Sequence, residues 1–268
     1  MKYKMIVSDL DGTLLNSEHK ISKHTIDIIR KVTETGVKFS IATGRHFKDA
    51  EFFFKQVGVG SYLISGNGSL IHDKNGNEIG NTNMNSEITK RLIELKIDDE
   101  ISRNIYYKDK WYTQKMIEAF GEYHVESKFS PIESDLKEFK NKKIEKVFFY
   151  CDDYKKIEKL EKEMLEDEWF KGKVNITTSH PSCLEIMDIS TNKKEGILEI
   201  MKHENIKADE ILAFGDAFND NEMLSFVGKG IIMGNGDKKL KELLPDCEVI
   251  GTNNEDGEAK YLEEMFLK

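Results

Sequence analysis

Residues 5–13 read MIVSDLDGT: an apolar run, Met5-Ile6-Val7, that ends on two carboxylates, Asp9 and Asp11, and a glycine. The run has the length and character of a buried strand. Carboxylates are costly to bury unless paired, hydrogen-bonded or bound to a metal, so a strand that delivers two of them to one spot proposes a site. The sequence around it supplies the fold. Residues 3–8 are predicted as a strand, 22–35 as a helix capped by Ser22 and stopped by Gly36, and 37–42 as the next strand. Helical periodicity returns over residues 46–57, Gly58 and Gly60 end it, and 62–65 reads as a third strand. Alternating strands and helices imply an α/β architecture, a doubly wound, Rossmann-like parallel sheet covered by helices on both faces.

After residues 65–80, SGNGSLIHDKNGNEIG, the texture changes; DKNGN between Leu70-Ile71 and Glu78-Ile79 is a hairpin signal. From about Met84 the chain mixes lysine-rich and glutamate-rich helices, at 87–96 and 154–168, with strand candidates at 104–107, 146–150 and 184–188. The βα rhythm resumes with a helix from about Lys194, a strand at 211–214, a helix at 219–226, a strand at 231–233 and a C-terminal helix. The expected organisation is a core made of residues 1–83 and 188–268, interrupted by an inserted α+β domain over 84–187.

Composition bounds the chemistry. With 268 residues, 38% hydrophobic and 33% charged, the chain suits a soluble globular protein of more than one core. No apolar run approaches the roughly 20 residues that span a bilayer. Asp9 and Asp11 also interrupt the N-terminal apolar run before a signal core is complete, so a cytoplasmic location without a membrane partner is expected. Cys151, Cys183 and Cys247 are odd in number and far apart, and read as reduced, packed thiols. The seven histidines show no metal spacing; His180, near the return from the insertion, could face a crevice. A net charge of -9 argues against nucleic acid as a partner, because phosphate backbones need a basic surface. An anionic ligand must therefore be handled locally.

Ligand sites of doubly wound sheets form at the carboxyl ends of the strands. Four unusual segments fall at predicted strand ends: DLDGT (9–13), ATGR (42–45), SGNG (65–68) and GDAFND (215–220). Together they supply Asp9, Asp11, Asp216 and Asp220, with donors from Thr43, Gly44 and Asn219. Carboxylates so gathered repel one another unless a cation is present, and oxygen-only ligands select a hard one, Mg²⁺.

DLDGT, ATGR, the lysine of TNKKEGI (191–197) and GDAFNDNEML (215–224), in that order, resemble the four motifs of the haloacid dehalogenase superfamily of phosphohydrolases. The SGNG segment and the place of the insertion resemble its Cof-like sugar-phosphate phosphatase branch, which implies a type IIB cap over 84–187 that selects the substrate. The resemblance implies that Asp9 is the nucleophile, forming an aspartyl-phosphate, and that Asp11 protonates the leaving alcohol and later deprotonates water. It further implies Mg²⁺ on the Asp9 carboxylate, the Asp11 carbonyl and Asp216, with Asp220 acting from behind them. Leu10, Thr43, Gly44, Lys193 and Asn219 would contact the phosphoryl group, Lys193 being preferred to Lys194 because the family's lysine shortly precedes a Gly-Ile helix start. Arg45 is a second candidate for phosphate contact, and Asn67 for the leaving group or the hinge to the insertion. Small phosphomonoesters are the implied substrates: hexose, pentose or sugar-alcohol phosphates, or flavin mononucleotide. A phosphomutase of the same fold and a catalytically silent sugar-phosphate-binding regulator remain as alternatives.

Overall fold

The computed structural model describes residues 2–118, 120 and 124–268, which form two compact units: Met1–Gly80 with Asn192–Lys268, and Asn81–Thr191. The chain begins with β1 (Met5–Ser8), α1 (Lys23–Glu34), β2 (Lys38–Ala42), α2 (Phe47–Val57), β3 (Gly60–Ser65) and the pair β4 (Leu70–Asp73) and β5 (Glu78–Asn81). The inserted unit follows with α3 (Ser86–Glu94), β6 (Ser102–Tyr107), β7 (Lys110–Thr113), β8 (Ile132–Glu133), β9 (Lys146–Tyr150), α4 (Tyr154–Glu166), β10 (Val174–His180) and β11 (Cys183–Asp188). The chain then returns as α5 (Lys193–Glu204), β12 (Ile211–Gly215), α6 (Asn221–Phe226), β13 (Lys229–Ile232), α7 (Lys238–Leu243), β14 (Glu248–Val249) and α8 (Gly257–Leu267).

The first unit carries an eight-stranded sheet in the order β14-β13-β12-β1-β2-β3-β4-β5, parallel from β14 through β3 and antiparallel between β3 and β4. Its centre explains the opening run of sequence. A strand of a parallel sheet is covered on both faces and needs apolar residues at consecutive positions. Met5 and Val7 join one apolar cluster, and Ile6 joins another that contains α1, α2 and α8 residues such as Ile28, Phe53 and Leu262. The helices carry the expected start signals: Ser22 Oγ accepts from the Thr25 amide, and the Asn192 side chain accepts from the Glu195 amide at the head of α5. That helix therefore includes Lys193, one residue earlier than its apolar pattern suggested.

The inserted unit has its own six-stranded sheet, ordered β10-β11-β9-β6-β7-β8, and its own core around Ile105, Phe149, Leu160 and Ile186. Strands β7 and β10, and the two-residue β8, were not expected. The first is four residues long, and the second is an edge strand, VNITTSH, whose mostly polar sequence gives little alternation. Trp111 is buried, with its Nε1 donating to Asn104 Oδ1 at 3.0 Å. Lys146 and Glu185, both buried, pair at 2.5 Å, so neither charge is left uncompensated. Among the described residues, no helix is long and apolar enough to cross a membrane.

Candidate active site

The carboxyl ends of β1 and β12 are neighbours in the sheet and bring Asp9 and Asp216 together. After Asp9 the chain turns sharply at Gly12, whose φ of 76° is in the left-handed region. A methyl group there would overlap the Asp216 carboxylate. The same turn offers Thr13, whose Oγ1 donates to Asp216 Oδ1 at 3.0 Å. Behind it, the Asp220 Oδ2 atom accepts from the amides of Asp216 (2.9 Å) and Ala217 (3.1 Å), closing the loop after β12.

Lys193 enters this cluster from the first turn of α5. It is fully buried, and its Nζ donates to Asp9 Oδ1 and, at 2.6 Å, to Asp220 Oδ1. Burial disfavours its charge, but the Asp220 and Asp9 carboxylates more than reverse this and raise its pKa. Lys194, by contrast, is part-exposed beside Glu195. For Asp9, burial is the largest influence and pushes the carboxyl well above its usual range; Lys193 opposes this, while Asp220 and Asp216 add to it. Burial, then Asp220, pushes Asp216 up to about 7.

Among the described residues, one ammonium thus faces three carboxylates. Oxygens of Asp9, Asp216 and Asp220 lie within 4.8 Å of one another, an all-oxygen donor set that fits a hard divalent cation. Asp220 already uses one oxygen on Lys193 and the other on two amides, which leaves Asp9 and Asp216 as the ligands with capacity to spare. Because the Gly12 turn is shaped around Asp216, Gly12→Ala is expected to weaken divalent-cation binding by at least about tenfold, read by calorimetric titration. Unchanged affinity would show that Asp216 can move without loss.

The Asp11 carboxylate does not join this group. Arg45 grips it with two hydrogen bonds, Nε to Oδ2 at 2.7 Å and Nη2 to Oδ1 at 2.6 Å. The same guanidinium donates from Nη1 to Asp49 Oδ2 at 3.1 Å, and Asp49 is fully buried. Burial alone would raise the Asp11 pKa; the charge and hydrogen bonds of Arg45 outweigh it and lower it. Arg45 is therefore engaged by two carboxylates rather than held ready for phosphate. Asp49 was missed, and its one sequence signal is the i,i+4 spacing from Arg45 into α2.

The remaining candidates are placed as follows. Thr43 is buried at the end of β2, with Oγ1 accepting from the Arg45 amide at 3.1 Å. The Leu10 side chain lies in the core, so only its backbone can meet a ligand. The Asn219 Nδ2 atom donates to Asn67 Oδ1 at 3.0 Å, and both residues are buried. His180 is exposed in the inserted unit, its Nδ1 accepting from the Ser182 amide. Ser8 and Glu258 form a further buried contact below the site that the sequence did not signal: Ser8 Oγ lies 2.7 Å from both Asp9 O and Glu258 Oε2. Cys151, Cys183 and Cys247 are free thiols.

Comparison with known proteins bears on this arrangement. The haloacid dehalogenase-like hydrolase profile matches residues 6–262. A protein of Buchnera aphidicola subsp. Schizaphis graminum, whose name as a phosphatase is provisional, is 35% identical over 274 residues, covering 99% of this chain and 97% of that protein. An HMP-PP phosphatase of Serratia proteamaculans is 30% identical over 266 residues, covering 97% of this chain and 94% of its own length. Among solved structures, the subclass IIB sugar phosphatase BT4131 superposes with a TM-score of 0.82 at 22% identity, over 97% of this chain and 98% of that one.

Proposed function

The chain belongs to the haloacid dehalogenase-like hydrolases and is a phosphatase of that superfamily, and from that premise we propose that it hydrolyses small phosphomonoesters, sugar phosphates foremost, with Mg²⁺ and through an aspartyl-phosphate on Asp9. The observation that carries the reading is the Asp9 carboxylate itself, buried at the end of a central strand and hydrogen-bonded by Lys193. The Asp9 and Asp216 carboxylates and the Asp11 carbonyl would hold the Mg²⁺. When bound, the ion neutralises negative charge shared by the carboxylates and an incoming phosphate.

The protein's own groups perform the steps. A carboxylate oxygen of Asp9 forms a bond to phosphorus as the bond to the leaving oxygen breaks. Asp11 supplies the proton that the leaving alkoxide needs and becomes ionised. The Arg45 pair favours the ionised form, so Asp11 acts as the acid only when that pair is loosened, and once ionised it takes a proton from the water that attacks the phospho-enzyme. Attack releases inorganic phosphate, restores the Asp9 carboxylate and leaves Asp11 carrying the proton for the next cycle. Thr43, the Gly44 amide, the Leu10 backbone and Asn219 hold the phosphoryl oxygens, and Lys193 balances the charge that accumulates on them. The inserted unit is assigned the choice of leaving group.

The test is phosphate release from sugar phosphates, sugar-alcohol phosphates, flavin mononucleotide and an aryl phosphate, with Mg²⁺ and with a chelator. Metal-dependent, repeated turnover is the expected result. Stoichiometric binding without release would replace the hydrolase with a sensor, and transfer to a second sugar would make it a mutase.

A further inference from the structure

We propose that Asn67 is a positioning residue for the phosphoryl group, acting through the amide of Asn219 and through the buried turn that carries it. The inference rests on the phosphatase reading of the site above. Gly66, Asn67 and Gly68 have φ values of 55°, 57° and 104°, three successive residues in left-handed conformations. Asparagine is one of the few side-chain-bearing residues that enters this region readily. The turn is buried, and its polar groups are aimed at the loops around the acidic cluster. The Gly66 amide donates to Arg45 O at 2.8 Å and the Asn67 amide to Thr43 O at 2.9 Å, which ties the turn to the backbone of the ATGR loop. A Cβ at Gly68 would overlap the carbonyl of Asn192, so the turn also lies against the residue that precedes Lys193. The Asn67 side chain completes the set by accepting from Asn219. One short turn thereby touches the three segments that carry Thr43, Lys193 and Asn219.

The Asn67–Asn219 contact has a specific chemical consequence. A carboxamide presents a donor on one edge and an acceptor on the other, and only the donor edge suits an anionic oxygen. With Asn67 Oδ1 as its acceptor, the Asn219 Nδ2 edge is turned toward Asn67 and keeps its second N–H for a phosphoryl oxygen. The flipped amide would set two acceptor oxygens against each other. At the other end of Asn219, its Oδ1 is buried without a hydrogen-bond partner among the described residues. Leaving a buried acceptor unpaired is unfavourable, and such a group needs an explanation in what the opposite end does.

The experiment is a double-mutant cycle of Asn67→Gly and Asn219→Ala in the Mg²⁺-loaded full-length protein. Glycine keeps the positive φ accessible while removing the acceptor. Each protein is titrated with inorganic phosphate by calorimetry and assayed for KM and kcat on the best substrate of the panel. Asn67→Gly is expected to weaken phosphate binding and raise KM by about tenfold, the size of one lost hydrogen bond, with a smaller change in kcat. In the Asn219→Ala background it should change neither further. Effects that multiply in the double variant would mean that Asn67 acts on its own, and overturn the proposal. So would a lowered melting temperature with unchanged phosphate affinity, which marks a merely structural role. The phosphate titration needs no turnover, so a protein that binds phosphate through this pair but hydrolyses nothing would end the phosphatase reading and leave the Asn67 assignment standing.

Discussion

Asp9→Asn is expected to reduce turnover of every phosphomonoester by about 10⁴-fold or more while the protein stays folded. An amide cannot take the place of the carboxylate as nucleophile, and the neighbouring carboxylates are placed in other roles: Asp220 is bonded to Lys193 and two amides, Asp216 accepts from Thr13 and is assigned to the cation, and Asp11 lies outside the cluster, paired with Arg45. The fold should tolerate the change because Asn has nearly the same shape, and because burial and the neighbouring Asp220 and Asp216 already disfavour the Asp9 charge. Lys193 retains Asp220 as its counter-ion. Acid-quenched wild-type enzyme should carry a transient phosphoryl group, visible by intact mass, that the variant lacks. Asp9→Ala guards against deamidation of the new asparagine. Near-normal rates in both variants would remove Asp9 from the role of nucleophile.

Lys193→Ala should produce two separable losses. Removing a preorganised charge next to the transferring group is expected to lower kcat by about 10² to 10³-fold. Removing the ammonium that bonds both Asp9 and Asp220 also leaves buried carboxylates uncompensated, which on the scale of broken buried pairs destabilises the metal-free protein by about 3–5 kcal/mol. Urea unfolding with and without Mg²⁺ reads the second effect, and the divalent ion should recover part of it. Lys194→Ala is the control: its side chain is part-exposed, and the change should stay within about 0.5 kcal/mol and leave kcat unaltered. If the two variants exchange phenotypes, the assignment moves by one residue.

The parts of the structure that could be read in advance are those where one local pattern determines the outcome. Met5-Ile6-Val7 had to be a two-face-covered strand, and Gly12 after it had to turn, because the pleat and the carboxylates allow little else. The approach of Asp9 to Asp216 was legible because both follow strands that point the same way in one sheet. Contacts between side chains of ordinary type were not. Asp49 has only its i,i+4 spacing from Arg45 to set it apart from any other helical aspartate until Arg45 is seen between it and Asp11, and the pairing of Asn67 with Asn219 joins residues whose motifs lie in different segments. Edge strands such as β10 escaped because a strand with one open side needs no strict apolar alternation.

The strand order of the first unit has a consequence for how the molecule is made. β1 lies between β2 and β12, and Met5 is in register with Ile211, so the strand bearing Asp9 lacks one neighbour until more than two hundred further residues have been synthesised. Pairings so distant in sequence form late, because the intervening chain must first be brought together. The inserted unit has no such delay, as all of its strands lie within Asn81–Thr191. On the ribosome it can be complete while the N-terminal strand still waits for its partner. Lys193 and Asp216 emerge after it, so a nascent chain holds Asp9 long before it holds the groups that surround it, and the acidic cluster is complete only in the final third of translation.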